Sequence, residues 1–537
     1  MKKFVLPILA LMLALSACAP TANNTPAINE NPAVEEEVAP VAEGAEETAT
    51  EELVESVEPQ IADEVIIGVG RNLYYGNSSW EIIHFSLDVW EPLVYVDENM
   101  NPIPVLAESW ESNEDNAEWT ITIKEGITFH DGTPFTAQIA ADNLLAAHEN
   151  YTPLATLDHI EATDDTHLTI YLSAPTPALI NLLAGYSSAQ FAPATFEQAE
   201  SEMPIPYGTG PYKFVNYDGE KITLERNEDY YGTLAVTPRI VYHYIPDANT
   251  RILALQSGEI DAIADVGSII PSQGALLEAD ENINLFTQNV TTTHYLFFNT
   301  DKAPLDQVAL RQAIGLALDR DLLVSSAVYG YGEAPAGIMT QLAASWQHPE
   351  SKPVYDLEQA KELAASVLGE DRVSLTLVVS SSLANRWPYN EIAQIMQAQL
   401  AEIGVDIEIV TVEGGTWSEM LKNDEYDMSI RPFTLSSGDP DDFMSYWVRE
   451  NGTFNVNYSI SYQNTAAQAL VEEAISETDL AQRLADYNEL QMIIAEDVPF
   501  TPIYHEQTLF AARSNVFDLS MDPSFKPSLE TVYKVVE

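Results

Sequence analysis

The chain reads as an α/β protein of two lobes, and three observations carry that reading. Its second half alternates helix-like and strand-like segments at the spacing of βα units. Its 537 residues exceed what a single hydrophobic core usually supports. Its one cysteine is Cys18, near the N-terminus, so the body has no intrachain disulfide and must hold together by burial.

The first element is a targeting segment. Met1-Lys2-Lys3 is a short basic start, and Phe4 to Ala14 is an apolar run too short to span a bilayer. Leu15-Ser16-Ala17-Cys18 then resembles the lipobox of bacterial lipoproteins, whose cysteine is lipidated. Residues 1–18 are therefore expected to be a lipoprotein signal peptide, with Cys18 the lipidation site. The resemblance implies an exported protein, lipid-anchored on the outer face of the cell membrane, at the cell surface or in the periplasm.

Residues 19–62 contain 11 glutamates and no Lys, Arg, Asp or aromatic residue. Such a composition cannot bury enough apolar surface to order itself. The segment is expected to be a disordered tether with a relaxed reach of roughly 35–40 Å, extended by self-repulsion.

Charge excludes one class of partner. The chain holds 83 acidic and 23 basic residues, a net charge of -60. Nucleic acid needs a basic surface, so it is not an expected partner. No second apolar run reaches the ~18 residues of a membrane span.

Order is expected from about Glu64. Val65, Ile66, Ile67 and Val69 read as a buried strand, and Ile82 to Tyr95 as a helix. Trp119 to Lys124, His167 to Leu172 and Thr223 to Arg226 read as strands, and Ala137 to Ala147 as a helix capped by Thr136. In the second half, Leu310 to Tyr329 reads as one long helix. Ser374–Val379, Val405–Val410 and Tyr426–Arg431 read as strands of a mainly parallel sheet. Asn390–Ile403 and Trp417–Asn423 are helices between them, and Ala467 to Ala495 is helical. Thr501–Tyr504 and the tail return to extended structure.

Several motifs in order resemble one family. They are Glu91-Pro92-Leu93-Val94, Pro104 to Trp110, and Phe129-His130-Asp131-Gly132-Thr133-Pro134-Phe135. Then come Gly208-Thr209-Gly210-Pro211-Tyr212, Arg226 to Gly232, Ile245-Pro246-Asp247 to Arg251, and Gly258-Glu259-Ile260-Asp261. Phe298-Asn299-Thr300, Val308 to Ala313 and Asp439-Pro440 complete the set. Together they resemble the extracellular solute-binding proteins of ABC importers, in the class that captures peptides, nickel chelates and opines.

The resemblance implies a two-lobed, periplasmic-binding-protein-like fold, with an extra subdomain in lobe I and a ligand cleft between hinged lobes. Lobe I is expected at 63–291 with a return segment at 505–537, and lobe II at 292–504. It implies capture of a small solute, foremost short peptides, for delivery to a membrane permease with its ATPases. A nickel or metal chelate is the alternative. No cofactor is expected, and the protein is expected to be a monomer.

Gly208-Thr209-Gly210-Pro211-Tyr212 lacks the Lys followed by Ser/Thr that ends a nucleotide loop and reads as a tight turn. The Phe129–Gly132 stretch reads likewise.

Loops at strand ends are the candidate cleft lining. Tyr74, Tyr75 and Trp80 follow the first strand and are either cleft aromatics or hydrophobic cover. Arg386, Trp387 and Trp417 are further candidates, and His84 is a weak metal candidate. Arg431 stands, by the resemblance, near the place where the nickel-chelate binder has a metal-ligating histidine. An arginine cannot ligate a metal. It can form a bidentate pair with a ligand carboxylate, or an ion pair within the protein. In peptide binders a late-loop aspartate holds the amino group; here Ser436, Ser437 and Gly438 fill that stretch, with Asp439 beside them.

An exported hydrolase is the remote alternative. None of the nine histidines forms an HExxH motif, and no Gly-x-Ser-x-Gly elbow is present. No catalytic residue is expected.

Overall fold

A computed structural model describes residues 60–74, 87–150, 156–198 and 204–536. The described residues fall within one compact unit, Glu58–Glu537. Cys18 and residues 1–59, with nearly all of the expected tether, lie outside the described residues, as do Tyr75, Trp80 and His84. The last tether residues, Gln60 to Ala62, are instead hydrogen-bonded to the Lys534–Val536 strand end.

The body opens with β1 (Glu64–Val69). Two strands, β2 (Val94–Val96) and β3 (Pro102–Pro104), form a small hairpin. A separate four-stranded antiparallel sheet holds β4 (Ala107–Ser112), β5 (Glu118–Ile123), β6 (Leu157–Ala162) and β7 (His167–Leu172), in the order β4-β5-β7-β6. The Ala137–Asn150 helix packs on it, burying Ala140 and Leu144 against Ile121 and Ile170. This is the extra subdomain of lobe I.

The main sheet is completed by ten further strands. They are β8 (Tyr212–Tyr217), β9 (Lys221–Arg226), β10 (Arg239–Tyr244), β11 (Ala262–Ile263) and β12 (Ile283–Phe298). The others are β13 (Gly332–Glu333), β14 (Val373–Ser380), β15 (Val405–Val412), β16 (Met428–Thr434) and β17 (Phe500–Arg513). The order is β15-β14-β16-β12-β17-β11-β1-β10-β9-β8, with β13 on β17.

The two long strands β12 and β17 join the lobes. Near Ile283, β12 pairs with the end of β17, which itself pairs with β11 of lobe I. From Thr292 onward β12 gains β16 of lobe II on its other edge. The β12–β17 register shifts between Asn289 and Thr293, and again between His294 and Tyr295. Irregularities of this kind bend a strand pair locally.

Alternation along β12 explains why it is buried on both faces of lobe II. Leu296 and Phe298 enter one core, and Tyr295 and Phe297 the other. Each such fully buried apolar side chain contributes roughly 1.5–3 kcal/mol. After β17 the tail returns to lobe I, where Val516, Leu519, Met521, Leu529 and Val532 join Val65, Ile67 and Tyr212 in one core. It ends on the strand pair β18 (Val516–Phe517) and β19 (Tyr533–Lys534).

Four readings are corrected. The helix through Tyr95 is absent from Leu87 onward: Asp88 has a positive φ of 52°, and Pro92 holds Glu91 out of the helical region before β2 begins. The helix from Leu310 is two helices, Val308–Ala317 and Arg320–Ala327, because Asp319 caps the second by accepting from the Leu322 amide at 3.0 Å. The helix from Ala467 also splits, into Thr465–Ser476 and Leu480–Asp497, with Asp479 as the new cap. The lobe II sheet is mixed: β14 runs parallel to β15 and β16, but β16 and β17 run antiparallel to β12.

The motifs serve packing. Buried Glu91 accepts from Thr209 Oγ1, Tyr230 Oη and Tyr231 Oη, each at 2.8 Å, so three separate motifs meet on one carboxylate. A β-carbon at Gly208 or Gly210 would collide with the backbone of Val89 or Asp88. Arg311 donates to the carbonyls of Leu305, Asp497 and Val498, and so closes the end of the Leu480–Asp497 helix.

Candidate ligand cleft

Three of the contacts between the lobes among the described residues mark the cleft in this conformation. Asn181 Nδ2 donates to the Ser437 carbonyl at 3.0 Å. Gly438, with φ of 71°, packs against the Met100 backbone. Arg386 Nη2 donates to the Val266 carbonyl at 3.0 Å, and its side chain lies on Gly267. The lobe I side is held by Arg71, which makes a bidentate pair with buried Asp265 at 2.7–3.0 Å. The cleft therefore lies among the Met100, Asn181 and Val266–Gly267 segments on one side, and the ends of β14 and β16 on the other.

Arg431 sits on β16 between aromatic rings. Its guanidinium lies 4.8 Å from the centre of Phe454, 4.9 Å from Tyr458 and 5.8 Å from Tyr446. Nε donates to the Pro432 carbonyl at 3.1 Å, while buried Nη1 has no acceptor among the described residues. The Thr453–Tyr458 helix and the Pro440–Trp447 helix supply the rings. Burial raises the Tyr446 hydroxyl pKa, and the Arg431 charge opposes the rise.

Arg386 and Trp387 follow the Ser381–Ala384 turn at the end of β14. The Arg386 guanidinium lies over the Trp387 ring at 4.4 Å. Trp387 is buried, and its Nε1 has no acceptor among the described residues. Burial lowers the Arg386 pKa, and neighbouring Arg71 lowers it further.

The other candidates fill structural places. Trp417 spends its indole N–H on Ser429 Oγ at 2.9 Å and is buried in the lobe II core. Tyr74 stacks on Tyr217 at 4.5 Å and on Phe214 at 5.7 Å, within the lobe I core. Asp439 is 3 % exposed and bound on both oxygens by Arg483, at 2.6 and 2.7 Å. It also accepts from the Asp441 amide and caps the Pro440–Trp447 helix. The carboxylate proposed from sequence as a ligand contact is thus fully engaged inside lobe II.

Next to it, Asp442 Oδ2 faces the hydroxyls of Ser436 and Ser437 at 3.3 and 3.4 Å. Burial pushes the carboxyls of Asp441 and Asp442 up to about 6, with Asp439 adding to the first and Asp441 to the second.

A buried polar chain at the crossing strands was not foreseen. His294 is fully buried; its Nδ1 lies 2.7 Å from Tyr389 Oη and its Nε2 3.1 Å from Glu506 Oε2. Its ring stacks on Tyr504 at 4.1 Å. Thr293 Oγ1 lies 2.8 Å from His505 Nδ1. Burial lowers the pKa of both histidines, His505 to about 4, while Glu506 opposes the fall at His294. The one signal in the sequence is a histidine directly before the apolar run Tyr295–Phe298, whose partners lie 95 and 212 residues away.

Among the described residues, no three His, Cys, Asp or Glu side chains converge as a metal site, and no helix is long and apolar enough to cross a membrane.

Two lobes on crossing strands, with a polar cleft between them, define a solute-binding protein of the periplasmic-binding-protein type. The chain belongs to the bacterial extracellular solute-binding proteins, family 5, whose middle region it matches over residues 101–455. It is 28% identical over 476 residues to the glutathione-binding protein GsiB of Escherichia coli O1:K1 / APEC, covering 85% of this chain and 91% of that one. NikA from Brucella suis, solved with Fe(III)-EDTA, superposes with a TM-score of 0.78 at 22% identity, covering 88% of this chain and 99% of the other. A dipeptide-binding protein from Pseudoalteromonas sp. SM9913, solved with Met-Leu, gives 0.74 at 21% identity, covering 88% and 100%. The protein is accordingly the solute-binding component of an ABC importer and not an enzyme. It delivers a small solute, captured outside the membrane, to the permease.

Proposed function

We propose that the solute is a short peptide and that Arg431 receives its carboxylate. The observation that carries this reading is the guanidinium itself. It lies among three rings, and its buried Nη1 has no acceptor among the described residues. A buried donor left unpaired is costly, and a carboxylate would satisfy it in a charge-assisted bond. Arg386 faces the cleft near the crossing strands, resting on the ring of Trp387, which is buried in the lobe II core. Relatives named for glutathione and dipeptides support the peptide class. A chelator's carboxylates would suit the same guanidinium, so a metal chelate is the second reading.

Lobe I comprises 63–291 with 505–537, and lobe II 292–504; they hinge where the β12–β17 register shifts. A lipid at Cys18 and the acidic tether that follows it, which ends where Gln60 to Ala62 pair with the Lys534–Val536 strand end, keep the protein, a monomer, beside its permease.

Calorimetric titration with a panel of di- and tripeptides tests the ligand class. We expect binding to the wild type and a loss of at least ~10-fold for Arg431→Ala. Equal affinity of the two proteins refutes the role of Arg431. Mass spectrometry of the ligand released from purified protein separates the two classes: a metal with an organic chelator refutes the peptide.

A further inference from the structure

In a chain with 83 acidic and 23 basic residues, a cation without a carboxylate is informative. Arg71, Arg226, Arg239, Arg372, Arg449 and Arg483 each pair with an acidic side chain. Arg251, Arg311, Arg320 and Arg513 are tied to two or more backbone carbonyls each. Arg386 and Arg431 have neither arrangement. No carboxylate oxygen lies within 4.0 Å of either among the described residues, and each has a single backbone acceptor.

The acidic groups that act on Arg386 are already engaged. Asp265 is held by Arg71, and Glu506 faces His294. Each guanidinium instead rests on aromatic faces: Arg386 on Trp387 and Arg431 on Phe454 and Tyr458. They share no contact residue, so they are two separate points of recognition. They nevertheless surround one place. Pro432, next to Arg431, pairs with His294 on β12, and Trp387, next to Arg386, packs on the same His294 ring with centroids 5.4 Å apart. Arg386 also bridges the lobes through Val266, which puts it on the closing surface of the cleft.

We infer that the ligand carries two acidic groups, one for each guanidinium: an acidic di- or tripeptide with one carboxylate on Arg431 and a second on Arg386. This rests on the peptide reading above. The physical argument is one of selectivity. A protein of net charge -60 repels anions at its surface. A doubly anionic solute is therefore admitted only where unopposed cations are held ready. A planar guanidinium with free N–H donors offers a bidentate match to a carboxylate, which a neutral amide cannot return.

The test is calorimetric titration of the purified full-length protein with two matched pairs, Ala-Glu against Ala-Gln and Ala-Ala-Glu against Ala-Ala-Gln. The Glu member is expected to bind ~10- to 100-fold tighter within at least one pair. Arg386→Met, with its melting temperature checked for an intact fold, is expected to abolish that preference. Equal binding of Glu and Gln members by the wild type overturns the inference and leaves the peptide reading standing. A preference that persists in Arg386→Met overturns the assignment of Arg386. Binding of none of the four overturns the peptide reading, and the inference with it.

Discussion

Gly438 lies so close to Met100 that a β-carbon at Gly438 would stand 2.6 Å from the Met100 carbonyl oxygen. The two residues belong to opposite lobes. Gly438 also has φ of 71°, a left-handed conformation that costs a residue with a side chain about 1–2 kcal/mol. Gly438→Ala should therefore oppose this closed contact. Ligand affinity is expected to fall by ~10-fold or more, since tenfold is about 1.4 kcal/mol. Solution scattering should show the mutant more extended with ligand present. Wild-type affinity and scattering in the mutant would sink the idea.

Asp439 and Arg483 form a buried, doubly bonded ion pair. Removing one partner strands the other in a poorly solvated place. Asp439→Ala is expected to destabilise the protein by about 3–5 kcal/mol, measured by urea unfolding. The double change Asp439→Ala with Arg483→Met should recover much of that loss. If Asp439→Ala weakens ligand binding while leaving unfolding unchanged, the carboxylate belongs to the ligand instead.

Asp442 predicts a pH effect of definite sign. Burial raises its folded pKa from 3.8 to about 6. Between these values the folded state binds more protons than the unfolded one, so this group's contribution to stability falls as pH rises through that window. Asp442→Asn removes the penalty. Its melting temperature should exceed that of the wild type at pH 7.5, by the equivalent of order 1 kcal/mol, and the gain should vanish near pH 4. His294 and His505, whose pKa values are lowered, act oppositely: their unfolded forms take up protons first, so stability falls as pH drops below about 6.5. The difference between mutant and wild type isolates Asp442. A difference independent of pH would contradict the assignment.

Glu506 accepts the His294 ring across the two crossing strands. Glu506→Ala leaves a buried imidazole nitrogen without that partner. A loss of about 1–3 kcal/mol in denaturant unfolding is expected. Glu506→Gln, which keeps an acceptor oxygen, should lose less. Equal losses for Ala and Gln would show that the carboxylate does not serve the histidine.

Much of this fold was legible because its signals are local. Strand alternation in Val65–Val69 and Trp119–Ile123 follows from period-two burial. The helix breaks at Asp319 and Asp479 were missed because the apolar pattern continues across them; only the cap marks the stop. At the site, Arg431 could be placed on a strand that ends toward the cleft. Its aromatic box could not, since Phe454 and Tyr458 come from a helix more than twenty residues later. Asp439 misled because a carboxylate beside a cleft loop looks available until its partner, 44 residues on, is seen. His294 carries no local signal at all beyond its apolar neighbours.

The return of the chain to its first lobe has a consequence for how the protein is made. Val516, Leu519, Leu529 and Val532 fill the core begun by Val65 and Ile67, and Tyr212 donates to the Leu529 carbonyl at 3.1 Å. A polypeptide that crosses the membrane from its N-terminus has therefore delivered all of its second lobe before the first can be completed. Until its last two dozen residues emerge, the leading half lacks part of its interior.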